Sequence, residues 1–177
     1  DVLPDTSRVV AVQIDDLVKT GKLRLINLNV ATLSIQTFLW NMLRTAVVSK
    51  SAPKIVIAAP AEQHCEIEAL ALAIVALECG WKPIYFGPNL SATDITALVK
   101  SNRAQAVGLS INRLNDKKVF EAEITKLREN LNGAIDLIIC GNGKLPLAHL
   151  EKFEGILVTR IKNFRQTLEN LTTADTN

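Results

Sequence analysis

His64 is the first side chain in this sequence suited to chemistry at neutral pH, and Glu62 stands two residues before it. An imidazole changes charge near physiological pH and is the commonest metal ligand. A carboxylate that takes the other ring N–H fixes the tautomer and raises the basicity of the metal-binding nitrogen. Glu62-Gln63-His64 therefore reads as a carboxylate–histidine relay to a metal. It reads more simply as the opening of a helix, with Glu62 near the end where negative charge is favoured. Spacing alone leaves both readings open. No set of further ligands at metal-site spacing accompanies His64, and the adjacent Cys65 points elsewhere on a helix. A protein-only zinc or iron site is not indicated. A metal bound here has to arrive inside a macrocycle that leaves one axial position free.

Two other short segments share this character, Ser110-Ile111-Asn112 and Gly141-Asn142-Gly143. Their position follows from the elements around them. From Pro53 onward, short apolar runs alternate with helical patterns. The runs predict strands over Lys54–Ala59, Pro83–Phe86, Ala106–Ile111, Ile135–Cys140 and Gly155–Val158. Between and after them, helices are expected over about 64–79, 92–101, 116–130, 145–152 and 162–172. The runs are continuous rather than alternating, as expected of strands covered on both faces. This is an α/β pattern: a Rossmann-like, flavodoxin-like sheet of five parallel strands with helices on both faces. Right-handed crossovers favour the order 2-1-3-4-5. Such sheets bind ligands outside the carboxyl ends of their strands, beside the switch point. The loops after strands one, three and four hold Glu62 and His64, Ser110 and Asn112, and Gly141 and Gly143.

Several tenants of this architecture are excluded by chemistry. Strand one ends Ala58-Ala59-Pro60 and strand three ends Leu109-Ser110, so the acidic residues of a phosphoryl receiver are missing. The loop after strand one has neither the spaced glycines of a dinucleotide site nor the hydroxyls of a flavin-phosphate loop. Gly141-Asn142-Gly143-Lys144 lacks the earlier glycine and the following Ser/Thr of a phosphate loop. The chain has 48% hydrophobic residues, 21% charged residues and a net charge of +2, which excludes disorder and gives no basic stripe for nucleic acid. DNA contact is expected only through a segment outside this chain. No membrane span or secretory signal is read, and Cys65, Cys79 and Cys140 are far apart in apolar runs. A reducing, cytoplasmic setting is expected.

The first fifty residues have a different texture. Residues 5–20 carry apolar positions at helical spacing with Gly21 as a stop. A second helix is expected from Asn27 or Asn29 to about Val48, apolar on most of its sides. A helix apolar all round is covered all round, by the following domain, by a part upstream of Asp1 or by a second copy. Residues 1–50 read as a helical cap segment and 51–177 as the Rossmann-like domain.

The stretch 54–158 resembles the cobalamin-binding domain family. The resemblance rests on Glu62-Gln63-His64 in the first loop, on Gly80-Trp81-Lys82-Pro83-Ile84-Tyr85-Phe86-Gly87-Pro88-Asn89, on Gly108-Leu109-Ser110-Ile111-Asn112, and on Gly141-Asn142-Gly143 where the family has a Gly-Gly pair. The second stretch is most similar to the sensory members, the cobalamin-dependent photoreceptor regulators of the MerR type. The resemblance implies His64 as lower axial ligand to cobalt and Glu62 as its hydrogen-bonding partner. It also implies Ser110, Asn112 and the Gly141 and Gly143 backbone around the nucleotide tail. Ile67 stands where the family has a glycine, and its side chain is expected against the ligand. The upper-face tryptophan and Glu-His pair of the light sensors align with Val18, Leu28 and Asn29. Upper-face adenosyl chemistry is therefore not expected, and Trp40 reads as core. The resemblance implies a regulatory domain of a transcription regulator that binds a tetrapyrrole and signals through protein contacts. Cobalamin is the expected cofactor, with haem, which has no nucleotide tail, as the alternative. A ligand-free interaction module and a corrinoid carrier are further alternatives. A homo-oligomer or a regulator protein is the expected partner. No acid–base pair or nucleophile points to an enzyme.

Overall fold

The structure, a computed structural model, describes residues 25–63, 66–131, 133, 135–141 and 155–174. Helix α1 (Leu25–Thr45) comes first, followed by β1 (Lys54–Ala58), α2 (Glu66–Glu78), β2 (Lys82–Tyr85), α3 (Ala92–Asn102) and β3 (Ala106–Ile111). Then come α4 (Lys117–Asn130), β4 (Asp136–Gly141), β5 (Ile156–Arg160), a single 3-10 turn (Ile161–Asn163) and α5 (Phe164–Ala174). The helices expected over 5–20 and 145–152 lie outside the described residues. So do His64, Cys65 and Gly143.

The strands form one parallel sheet in the order β2-β1-β3-β4-β5, as the crossover argument predicts. The central strands are buried on both faces: every residue of β3, and β4 from Leu137 onward. Alternation then divides the core. Ile55, Ile57 and Ala59 face α2 and α5, whereas Val56 and Ala58 face α3 and α4. Strand ends differ from the sequence reading by one or two residues. β5 continues through Thr159 and Arg160 because they pair with Cys140 and Gly141. An edge strand keeps polar residues that a search for apolar runs discards.

The caps account for two helix starts. Ser91 and Asp94 form a reciprocal capping box on α3, and the Asp116 carboxylate accepts the Lys118 and Val119 N–H groups of α4. α2 is buried at every position from Ala69 to Ala76 because it is covered twice. Ala69, Leu72, Ala73 and Ala76 lie on the sheet, and Leu70 and Ile74 meet Leu39 of α1. The following domain covers α1 on one side only. Leu39 is buried, but Ile26, Val30, Leu33 and Phe38 are 55–66% exposed. Apolar content identifies a helix without saying which of its faces has a neighbour.

Candidate functional site

The carboxyl ends of β1, β3 and β4 bring Glu62, Ser110, Asn112 and Gly141 to one edge of the sheet. Register aligns Ser110 with Cys140 and then Thr159, and Ile111 with Gly141 and then Arg160. Cys140 belongs to the face under α2 and α5, and Gly108 and Ser110 lie on that same side by alternation. The Thr167 hydroxyl of α5, which donates to the Asn163 carbonyl at 3.2 Å, lies 3.5 Å from the Thr159 hydroxyl. This corner of the sheet thus combines small polar groups with an apolar wall.

Ser110 is the anomaly in that row. It is 2% exposed and its hydroxyl has no hydrogen-bond partner among the described residues. Leaving a buried hydroxyl unsatisfied costs about 1–3 kcal/mol, so its retention calls for an explanation. Cys140 beside it is fully buried, and burial pushes its thiol well above the ordinary range. It is held as the neutral thiol, an apolar neighbour rather than a nucleophile.

One layer deeper the same face is closed. A Cβ added to Gly108 would lie 2.7 Å from Ile57 Cδ1 and 3.3 Å from Phe164 Cζ. Glycine stands there because those two side chains already fill the space. Side chains thus fill the space beneath Ser110.

Around the rim the loops are stitched together by Gln63, which is 4% exposed. Its Oε1 accepts the backbone N–H groups of Asn112 at 2.9 Å and Arg113 at 3.0 Å, and its Nε2 donates to the Arg113 carbonyl at 2.5 Å. Its own carbonyl accepts the Asn89 N–H at 3.1 Å. The crevice between the β1 and β3 loops shrinks to about 20 Å³ as a result. Glu62 is exposed and has a left-handed backbone, φ 67°, and its N–H donates to Asn89 Oδ1 at 2.9 Å. A residue other than glycine holds that conformation only where its surroundings impose it. Here the imposition comes from Asn89, itself left-handed at φ 60°.

Ile67 is placed elsewhere. It packs with Leu39, Leu70 and Ile74 in the seam between α1 and α2. Trp40 occupies the same seam, with its indole N–H donating to Glu66 Oε1 at 3.3 Å and its ring centroid 5.4 Å from that of Tyr85. Gln36 Nε2 donates to Glu66 Oε2 at 3.0 Å, so both carboxylate oxygens accept from α1. Of the aromatic residues flanking β2, Trp81 is buried and Phe86 is 61% exposed. Arg165 pairs with Glu78 and joins α5 to α2. Among the described residues no cluster of His, Cys, Asp and Glu could hold a metal ion by itself. No helix there is long and apolar enough to cross a membrane. Gln63, Asn89 and Phe164 were not singled out from sequence. For Gln63 the available signal was an amide, able to donate and accept, in the loop after strand one.

The chain folds as cobalamin-binding domains do. A chain of the methanol:cobalamin methyltransferase complex MtaBC from Methanosarcina barkeri aligns with a TM-score of 0.62 at 13% identity, over 97% of this chain and 67% of its own. A monomethylamine corrinoid protein of Methanosarcina barkeri gives 0.58 at 10% identity, over 89% and 76%. A cobalamin-binding protein from Desulfitobacterium hafniense gives 0.50 at 14% identity, over 92% and 75%. Likeness at such identities speaks to fold. No protein-family model matches the sequence, and no curated protein matches it.

Proposed function

We propose that this chain binds a tetrapyrrole, cobalamin, across the C-terminal rim of its sheet and acts as a sensory domain of a transcription regulator. The observation that carries the reading is the buried, unpartnered Ser110 hydroxyl, in the fold shared with corrinoid proteins. An orphan donor at a ligand-binding rim suits an acceptor nitrogen of a nucleotide tail. The residues fit such a group at the depth of Ser110, and Gly141 leaves the adjacent strand end without a side chain. His64, outside the described residues, would hold the metal, with Glu62 beside it. A bound corrinoid supplies a cobalt ion whose axial ligation changes with its oxidation state. The chain's own part is to orient and to exclude water. Gln63 locks the loops that carry Glu62 and Asn112, and the α2–α5 wall keeps Ser110 dry. The chain is not itself an enzyme in this reading. It signals through contacts with a second copy or a regulator protein, and DNA is reached by a segment outside it.

Two observations favour other occupants or roles. Ile57 and Phe164 close the space beneath Ser110, which suits haem, since haem has no tail to seat. Solved neighbours named as a corrinoid protein and a methyltransferase complex favour a corrinoid carrier.

The test is spectroscopic. Hydroxocobalamin and haemin are added separately to wild type, His64→Ala and Ser110→Ala, and visible spectra are recorded after gel filtration. Retained cobalamin is expected, with a spectrum altered in His64→Ala. Ser110→Ala is expected to bind about tenfold more weakly, one hydrogen bond's worth, without loss of thermal stability. Identical spectra for wild type and His64→Ala remove the histidine from the mechanism. Retention of haemin alone selects the haem alternative.

A further inference from the structure

A second concavity lies away from this rim, where the C-terminal end of α1 passes the edge strand β2. It encloses about 430 Å³ and is lined by Trp40, Leu43, Arg44, Lys82, Tyr85 and Phe86, among others. Small-molecule sites run from roughly 300 to 1,000 Å³ with apolar walls and a few placed polar groups. Three of these walls are aromatic. Trp40 and Tyr85 meet as a tilted pair at 5.4 Å, and Phe86 stands beside them 61% exposed. An exposed phenyl next to a half-buried aromatic pair is apolar surface without a covering neighbour.

The charges in this groove have one sign. Arg44 and Lys82 are its charged lining residues, and neither has an ion-pair partner among the described residues. No carboxylate lines it. Such a lining is complementary to an anion with an apolar body.

An added β-strand fits poorly. Among the described residues β2 pairs only with β1, so its other side is the sheet edge. Lys82 spends its N–H on the Pro53 carbonyl, which directs the N–H of the next residue outward. That residue is Pro83, which has no N–H to give. An extended peptide would find a broken ladder, whereas a small amphiphile needs none.

We propose that the groove between α1 and β2 binds a small anionic amphiphile, an apolar chain or ring carrying one carboxylate, with its body on Trp40, Tyr85 and Phe86 and its carboxylate toward Arg44 and Lys82. The site is independent of the tetrapyrrole reading and shares no residue with it.

Octanoate and octanol, equal in chain length and differing in charge, test the proposal by calorimetry on the whole chain. Octanoate is expected to bind at least tenfold more tightly than octanol. Arg44→Ala combined with Lys82→Ala, both exposed positions, should lower octanoate to the level of octanol and leave octanol unchanged. Phe86→Ala should weaken both. Equal binding of the two ligands, no binding of either, or an octanoate affinity untouched by loss of both cations would overturn it.

Discussion

Gln63 shows how much one amide can organise. Its side chain makes three hydrogen bonds to the backbone of Asn112 and Arg113, on the far side of the switch point. Truncation leaves two N–H groups and a carbonyl unpaired in a part-buried site. Gln63→Ala is expected to destabilise the fold by about 2–3 kcal/mol, since each buried orphan costs roughly 1–3 kcal/mol and water reaches some of them. Urea unfolding monitored by circular dichroism measures this, and an unchanged midpoint would show that the clamp contributes nothing. Ser110 is the opposite case. It is a polar group held without a partner, so its removal should leave stability intact and report only on a ligand. The two residues neighbour the same rim, yet one serves the fold and the other does not. Burial alone cannot separate them; the hydrogen-bond inventory does.

At the scale of elements, α5 matters most to the candidate site. It follows the edge strand β5 through one 3-10 turn and lays Phe164 and Leu168, both fully buried, on the face that carries Ser110. Phe164 sets the depth of that face by occupying the space over Gly108. Phe164→Ala should cost about 3–5 kcal/mol, the usual range for a buried phenylalanine. It should also deepen the slot. Binding of cobalamin relative to cobinamide, which lacks the nucleotide tail, is expected to rise in Phe164→Ala, as read by titration of visible spectra. An unchanged ratio would mean that the tail never approaches α5. α2 illustrates a related constraint. Its alanines at 69, 73 and 76 let it lie close to the sheet, while Leu70 and Ile74 on its other side engage α1. Ile67, in line with those two, is taken up by the helix seam rather than by the rim.

For the whole molecule, the uncovered surface of α1 is the most consequential feature. Ile26, Val30, Leu33 and Phe38 stand exposed on a helix whose only charged residue is Arg44, in its last turn. A face without charge can meet its own copy across a two-fold axis without repulsion, and burying it is favourable in proportion to its area. A dimer of the 19.4 kDa chain is therefore expected. Leu33→Lys together with Phe38→Lys should convert it to a monomer without lowering its helical content, as light scattering and circular dichroism would show. A wild-type mass equal to that of one chain would rule this pairing out. The surface ion pair Lys117–Glu121, at 3.8 Å and partly exposed, contributes little by comparison.

The sequence by itself determined the alternation of strands and helices, the parallel sheet and its order. Those features follow from properties carried along the chain: continuous apolar runs at β1, β3 and β4, turn residues between them, and the handedness of crossovers. It also placed Glu62, Ser110, Asn112 and Gly141 at strand ends, because a strand's end is a local event. Only the tertiary structure decided which groups meet. That Gln63 grips Asn112, that Ile67 turns to α1, that Phe164 fills the space over Gly108 and that Ser110 is left without a partner each depend on two segments far apart in sequence. No local period encodes such pairings. They arise when close packing assigns the remaining volume and the remaining hydrogen bonds among side chains that the fold has brought together.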